Sequence, residues 1–280
     1  MDLEIIRADP AGNITIFVLS PVTDREERLR AAGALLADPG LQAEQVGFVL
    51  PPDAEGCSRL SRRLSPRCRQ ERRLWRLEMM GGEFCGNAAR SFGLYVAEQT
   101  GLADRGGVLI AINGAPLAVR VDTAAGTAEL EMSGLLAETT VECKGQDFPM
   151  YVFDGISHVI VENREPDEGL LRSLRESLDA RPPIDALGVM FYDTERRFMR
   201  PLVWVRATGT TVFESSCGSG SAALGVWMAR NIRNGEEHSA LAQPGGTIET
   251  RVVKQEGLVR RISIGGPVGL SGPFHWSSRD

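Results

Sequence analysis

Two cysteines carry the chemistry that this sequence can do. Cys85 opens the run Cys85-Gly86-Asn87-Ala88-Ala89, shortly after Glu83. Cys217 opens Cys217-Gly218-Ser219-Gly220-Ser221-Ala222-Ala223, shortly after Glu214. Both runs pass into apolar, helix-periodic stretches. The first is predicted to reach about Gln99 with Gly101 as its stop, the second about Asn231 with Gly235 as its stop. A cysteine just ahead of a helix has its sulfur beside N–H groups that lack intrahelical partners and beside the positive end of the dipole, and both favour thiolate. The glycine lets a ligand approach the backbone, and the next N–H groups make an anion cradle suited to a carboxylate. The two starts lie nearly half the chain apart, the pattern of a repeated half-chain unit. Set face to face by a pseudo-two-fold, they would hold one carboxylate between two helix ends, with a sulfur on each side of the adjacent carbon.

That geometry suits proton removal from one face of an α-carbon and delivery to the other, with the developing charge stabilised at the carboxylate. One cysteine must be thiolate and the other thiol, exchanging roles in the reverse direction. No cofactor is expected. A lone Cys-Gly before a helix is more often a small buried residue at a tight turn; the matched pair is what points to chemistry. A metal reading would gather Cys85, Cys217, His158 and Glu214, but no pair among them has zinc-ligand spacing, so no metal is expected. A dithiol redox site would need C-x-x-C, which is missing. Gly86, Asn87, Gly218 and Ser219 are expected to hold the substrate carboxylate through their backbone. Glu214, His158 and Glu83 are candidates for holding the ammonium or tuning the thiols. Asn13 joins the substrate-binding set, to orient a cysteine or cap a turn. Cys57, Cys68 and Cys143 lack the motif and read as incidental.

These residues need a scaffold, and short apolar runs supply it. Val46–Leu50, Leu109–Ile112, Tyr151–Phe153, Val159–Val161, Leu202–Val205 and the alternating segment around Ile262 and Ile264 read as strands. Asp24–Leu36 and Glu168–Leu178 read as surface helices covering a sheet. Many short strands with few helices favour α+β over a doubly wound sheet. The 280 residues are enough to bury a large core without disulfide or metal staples. A net charge of -6 argues against nucleic acid as a partner. No apolar run is long enough to span a membrane, and the charged start does not read as an export signal, so free thiols in the cytoplasm are expected. The arginine-rich stretch 59–76 reads as a solvated loop and strand face, with Arg76 alone near enough to Cys85 in sequence to reach a site.

The sequence resembles the diaminopimelate epimerase superfamily, the cofactor-independent two-thiol racemases and epimerases. The resemblance rests on Cys85-Gly86-Asn87 and Cys217-Gly218-Ser219-Gly220. It extends to Gly12-Asn13, Gly155-Ile156-Ser157-His158, Pro244-Gly245-Gly246 and Gly265-Gly266-Pro267. It implies two pseudo-symmetric α+β halves, each a sheet wrapped around a central helix, with the site in the cleft between them. The halves would be 1–134 with the last strand 269–280, and 135–268. It also implies a small-molecule amino-acid substrate, and the assembly expected is a homodimer. Arg76, Ile156 and Ala186 stand where that family carries asparagines, and Thr208-Gly209-Thr210-Thr211 carries no Glu-Arg pair. The reaction-centre motif is kept while the distal amino-acid clamp is lost, which speaks against diaminopimelate. Glu83-Phe84-Cys85-Gly86-Asn87-Ala88 looks more like the histidine racemase branch that serves metallophore synthesis. The rival readings are a diaminopimelate epimerase with a variant clamp and a non-enzymatic ligand-binding relative.

Overall fold

The structure is a computed structural model and describes residues 1–52, 74–102, 105–132, 135–179 and 184–278. The chain divides into two units, Met1–Leu130 with Gly266–Asp280, and Glu131–Gly265. In the first, apolar runs become β1 (Asp2–Asp9), β2 (Thr15–Val18), β3 (Gln45–Leu50), β4 (Trp75–Met79), β5 (Arg105–Ile112), β6 (Ala115–Asp122) and β7 (Thr127–Met132). Helix α1 (Arg25–Ala37) joins β2 to β3, and α2 (Gly86–Gln99) joins β4 to β5. Those two strand pairs are parallel, because a parallel neighbour needs a crossover that returns the chain to its starting end. The pairs β1–β2, β3–β4, β5–β6 and β6–β7 are antiparallel.

The second unit starts with the antiparallel strands β8 (Leu135–Cys143), β9 (Gln146–Phe153) and β10 (Ile156–Glu162). Helix α3 (Glu168–Asp179) then carries the chain to β11 (Ala186–Asp193), parallel to β10. The strands β12 (Phe198–Val205) and β13 (Thr210–Phe213) follow as an antiparallel pair. Helix α4 (Gly218–Met228) leads to β14 (Gly235–Gln243), which touches β12 in parallel, and β15 (Gly246–Gln255) and β16 (Leu258–Gly265) complete an antiparallel meander. The last strand, β17 (Gly269–Ser277), belongs to the first unit and pairs antiparallel with β1. The architecture is α+β, with much strand and few helices.

Helices α1 and α3 are covers laid on the sheet strands, and α3 is strongly amphipathic. Asp24 caps α1 by accepting from the amide of Glu27, and the helix lays Ala31, Ala32 and Leu35 against Ile16, Val18, Val46 and Phe48. Helix α3 lays Leu170, Leu171, Leu174 and Leu178 against Val159, Val161, Leu187 and Val189. Each such leucine contributes roughly 1.5–3 kcal/mol. Helices α2 and α4 are different: α2 is buried from Gly86 to Ala97, and α4 from Gly220 to Trp227. A helix buried all round must come close to its strands, and glycine makes the room. A Cβ on Gly93 would stand 2.5 Å from Val119 of β6, and one on Gly225 would stand 2.8 Å from Thr250 of β15. Each of these glycines lies eight positions after its cysteine, a repeat that the motif reading did not use.

One helix boundary differs from expectation. Helix α4 ends at Met228 and tightens into a single 3-10 turn, Ala229–Asn231. Within that turn the Arg230 side chain donates to the Trp227 carbonyl and stacks on its ring, while Gly235 opens β14. We expect Gly93→Ala to destabilise the protein by about 1–3 kcal/mol through overpacking against Val119, read as a lowered urea midpoint with unchanged slope.

Candidate active site

The two cysteines occupy the same position in the same kind of cap. Cys85 is the N-cap of α2 with φ -125 and ψ 117, and its sulfur accepts from the amide of Ala88. Cys217 is the N-cap of α4 with φ -125 and ψ 112, and its sulfur accepts from the amide of Gly220. Both N···S separations are 3.4 Å. Sulfur thus fills the role that a serine or aspartate oxygen usually takes. In each helix the preceding amides, of Gly86 and Asn87 or of Gly218 and Ser219, belong to the first turn and have no intrahelical acceptor. Gly220 leaves room for Met190: a Cβ there would lie 2.2 Å from the Met190 sulfur, which would have to move.

The surroundings of the two sulfurs differ. Cys85 is half-buried, and its sulfur lies 3.6 Å from Oδ1 of Asn13, which it reaches as a donor. Asn13 is 5% exposed and donates through Nδ2 to a Glu44 carboxylate oxygen at 2.6 Å. Behind the cap, Asn87 accepts from Nε of Arg90 at 3.1 Å. Arg90 is wholly buried and also donates to the carbonyls of Gly266 and Pro267, at 2.9 and 3.1 Å. This gives the Gly265-Gly266-Pro267 motif a function: it presents backbone acceptors to a buried guanidinium.

Cys217 is buried, and burial pushes its thiol well above the usual range. The neighbouring Glu214 carboxylate, to which the thiol donates, pushes the same way, while the Gly220 amide and the Ser219 hydroxyl oppose it. Its backbone amide donates to Oε1 of the buried Gln243 at 2.8 Å, and Nε2 of Gln243 donates to the Ser221 hydroxyl. The turn after Gln243 is held too, because the Gly245 amide donates to the Ser215 carbonyl. Beside Glu214 lies a cavity of about 380 Å³ lined by Pro166, Arg200, Pro201, Phe213 and Pro244, with Glu165 at its edge.

His158 is placed behind Ser219. It is fully buried on β10, with Nε2 2.9 Å from the Ser219 hydroxyl, and that hydroxyl is 3.7 Å from the Cys217 sulfur. Burial pulls the imidazole down to about 3, so it is neutral at physiological pH. It lies over Gly188 of β11, where a Cβ would stand 2.3 Å from Nδ1. Its neutral ring reaches the sulfur through a hydroxyl.

Glu83 is exposed, and its carbonyl accepts from Asn113. Cys143 is a free thiol in the core of the second unit. Arg76, expected near a site or on a solvated face, is half-buried on β4 opposite Leu50 and Ala111. The rest of the arginine-rich stretch, from Arg59 to Arg73, and Cys57 and Cys68 lie outside the described residues. Among the described residues no group of three His, Cys, Asp or Glu side chains is placed to hold a metal ion. No helix among them is long and apolar enough to cross a membrane. The motif reading missed Glu44, Arg90 and Gln243. Arg90 stands three residues after Asn87, one helical turn on, and that spacing is a signal; Glu44 and Gln243 carry none.

Residues 2–273 match the family model described as the histidine racemase CntK N-terminal domain. The chain belongs to this family. A histidine racemase of Fusobacterium nucleatum subsp. nucleatum is 27% identical over 280 residues, covering 96% of this chain and 94% of that protein. A phenazine biosynthesis PhzF-family protein of Enterococcus faecalis superposes with a TM-score of 0.60 at 11% identity, covering 99% of this chain and all of the other. A hydroxyproline epimerase of Agrobacterium vitis, solved with trans-4-hydroxy-L-proline, gives 0.59 at 13% identity, covering 98% and 92%. The structural likenesses establish the fold, and family membership makes this chain an isomerase.

In this family member the buried imidazole has a measurable consequence. An unfolded histidine takes up a proton below about pH 6.5, whereas His158 resists until about 3. Its contribution to stability is therefore present above pH 6.5 and is lost as pH falls toward 3. The loss should approach about 1.4 kcal/mol per pH unit. Urea titrations at pH 6, 5 and 4 should show a His158→Gln variant with a shallower decline than the parent. Parallel declines would contradict the buried neutral ring.

Proposed function

We propose that the protein racemises histidine through a two-thiol mechanism in which Cys85 and Cys217 are the acid/base pair. The observation that carries this reading is the duplicated cap: two cysteines with matching backbone angles and matching S···H–N bonds at the starts of two buried helices. A duplicated device is what a reaction needs when its substrate and product are mirror images. The recurring order supports it: in each unit a strand, a covering helix, a parallel strand and its antiparallel partner precede the buried helix, and a meander follows. We infer two pseudo-symmetric halves, each a sheet around its central helix.

In the mechanism one sulfur, as thiolate, removes the α-proton from one face, and the electron pair left on the α-carbon delocalises into the carboxylate. Amides of Gly86, Asn87, Gly218 and Ser219 stabilise that charge, as donors aimed at developing negative charge do. The other sulfur, as thiol, donates its proton to the opposite face and becomes thiolate. One proton is taken and one is given, so no cofactor is needed for balance. Glu214 accepts from Cys217 and, together with burial, favours the thiol form of that sulfur. Histidine as the substrate is supported by the family and by the apolar Ile156 and Ala186, which offer no polar clamp for a second amino-acid centre.

The test is incubation with L-histidine in deuterated water. D-histidine should form carrying deuterium at the α-carbon, and diaminopimelate should exchange at least about ten-fold more slowly. Cys85→Ser and Cys217→Ser should each lower turnover by at least about 100-fold, because a hydroxyl is a far weaker base than a thiolate. A variant that still racemises at the parental rate would exclude its cysteine from the mechanism. Faster exchange with diaminopimelate would leave the two-thiol chemistry standing and overturn the substrate.

A further inference from the structure

The two sulfurs have the same helix-end donor but different second partners, and the partner of Cys85 is the more constrained. A carboxamide is a fork with a donor end and an acceptor end, and a half-turn about its last torsion exchanges them. Asn13 has no such freedom here. An ionised carboxylate only accepts, so Glu44, 2.6 Å away, must take the Nδ2 end. The Oδ1 end is left toward Cys85, at 3.6 Å from its sulfur. An oxygen with lone pairs welcomes S–H and repels a thiolate.

Backbone geometry fixes this arrangement. The turn before Asn13 has Ala11 at φ 63 and Gly12 at φ 83, and the Gly12 amide donates to Asp9 at 2.7 Å. The amides of Glu44 and Gln45 both donate to the Ile14 carbonyl, at 2.9 and 3.2 Å, which brings Glu44 alongside Asn13. Asn13 is nearly sealed from water, so solvent does not substitute for either partner.

We propose that Glu44 is a positioning residue: by holding the amide nitrogen of Asn13 it fixes the amide oxygen against Cys85 and raises the pH at which that cysteine ionises in the substrate-free enzyme. This rests on reading Cys85 as one of the acid/base pair. A half-exposed sulfur next to a helix start would then be less open to the oxidation and alkylation that a resting thiolate invites. Among the described residues, other charged side chains on the neighbouring segments include Asp9, paired with Arg7 at 3.2 Å, the exposed Glu83, and Arg90 inside α2. Substitution at Glu44 leaves all of these in place.

The experiment is peptide-resolved alkylation of Cys85 by iodoacetamide in substrate-free enzyme, followed across pH for the parent, Glu44→Gln, Asn13→Ala and the double variant. Glu44→Gln lets the Asn13 amide turn its nitrogen toward the sulfur. The Cys85 midpoint should move down by about one pH unit, raising the alkylation rate at pH 7 about ten-fold. With Asn13 replaced by alanine, the same Glu44→Gln change should move the rate less than about two-fold, because the two residues act as one unit. Glu44→Asp keeps the charge but draws it back from Nδ2. It should shift the midpoint in the same direction, and it serves if Glu44→Gln does not fold. An unchanged midpoint in both Glu44 variants would overturn the proposal. So would a full-sized shift without Asn13, which would mean that Glu44 acts by charge alone. The readout needs no turnover, so failure of the two-thiol reading, seen as an active Cys85→Ser enzyme, is told apart from failure of this one.

Discussion

A buried helix must answer the N–H groups of its first turn, and here sulfur answers them twice. An unsatisfied buried amide costs about 1–3 kcal/mol, so a cap is obligatory at a helix start shielded from water. Using cysteine for that purpose would, in the proposed mechanism, tie stability to chemistry, because the atom that closes the helix also faces its dipole and would carry the proton in transit. The cap geometry repeats to within a few degrees in α2 and α4. The consequences spread outward from that constraint. Because the helices are buried, Gly93 and Gly225 must lack side chains where strands approach. Because the first turn must be held rigid, buried polar groups stand behind it: Arg90 behind Asn87, Gln243 behind Cys217, and His158 behind Ser219.

The two caps are alike in backbone and unlike in surroundings. Cys217 is sealed, faces a carboxylate, and is held strongly in the thiol form. Cys85 is half-exposed and meets a neutral amide oxygen backed by a carboxylate one residue further away. Both environments use an acidic residue, but one acts on the sulfur directly and the other through a carboxamide. The charge of a carboxylate is the same in each case; what differs is the number of atoms between it and sulfur. Arg90, by contrast, is a buried cation on the helix of Cys85, and its charge-assisted bonds to backbone carbonyls are of the stronger kind.

Much of this was legible in the chain. Cys85 and Cys217 were readable as helix starts because Cys-Gly, a small polar residue and an alanine pair recur in the same order. The covering helices α1 and α3 were readable over Asp24–Leu36 and Glu168–Leu178, since helical spacing involves residues a turn or so apart. Strand cores were found, but strands such as β5 and β9 run further than their apolar runs, because ladder hydrogen bonds extend into polar, exposed positions that periodicity does not weigh. Helical structure runs to Asn231 as its pattern implies, but its last turn is 3-10, and Gly235 opens β14 rather than ending the helix.

What the sequence alone determined, then, is the local chemistry: two capped helices, their thiols, and the α+β mixture of elements around them. The tertiary structure decided which remote groups those thiols meet. Glu44 lies 31 positions from Asn13 and Gln243 lies 26 from Cys217, and their hydrogen bonds depend on strand and turn placement rather than on any neighbour in sequence. His158 looks like any strand histidine until β11 passes beneath it at Gly188 and α4 brings Ser219 to its ring. The physical reason is one of range. Capping, turns and amphipathicity are set within a few residues, whereas burial, and with it the protonation of a thiol or an imidazole, is a property of everything that packs around the group once the chain has folded.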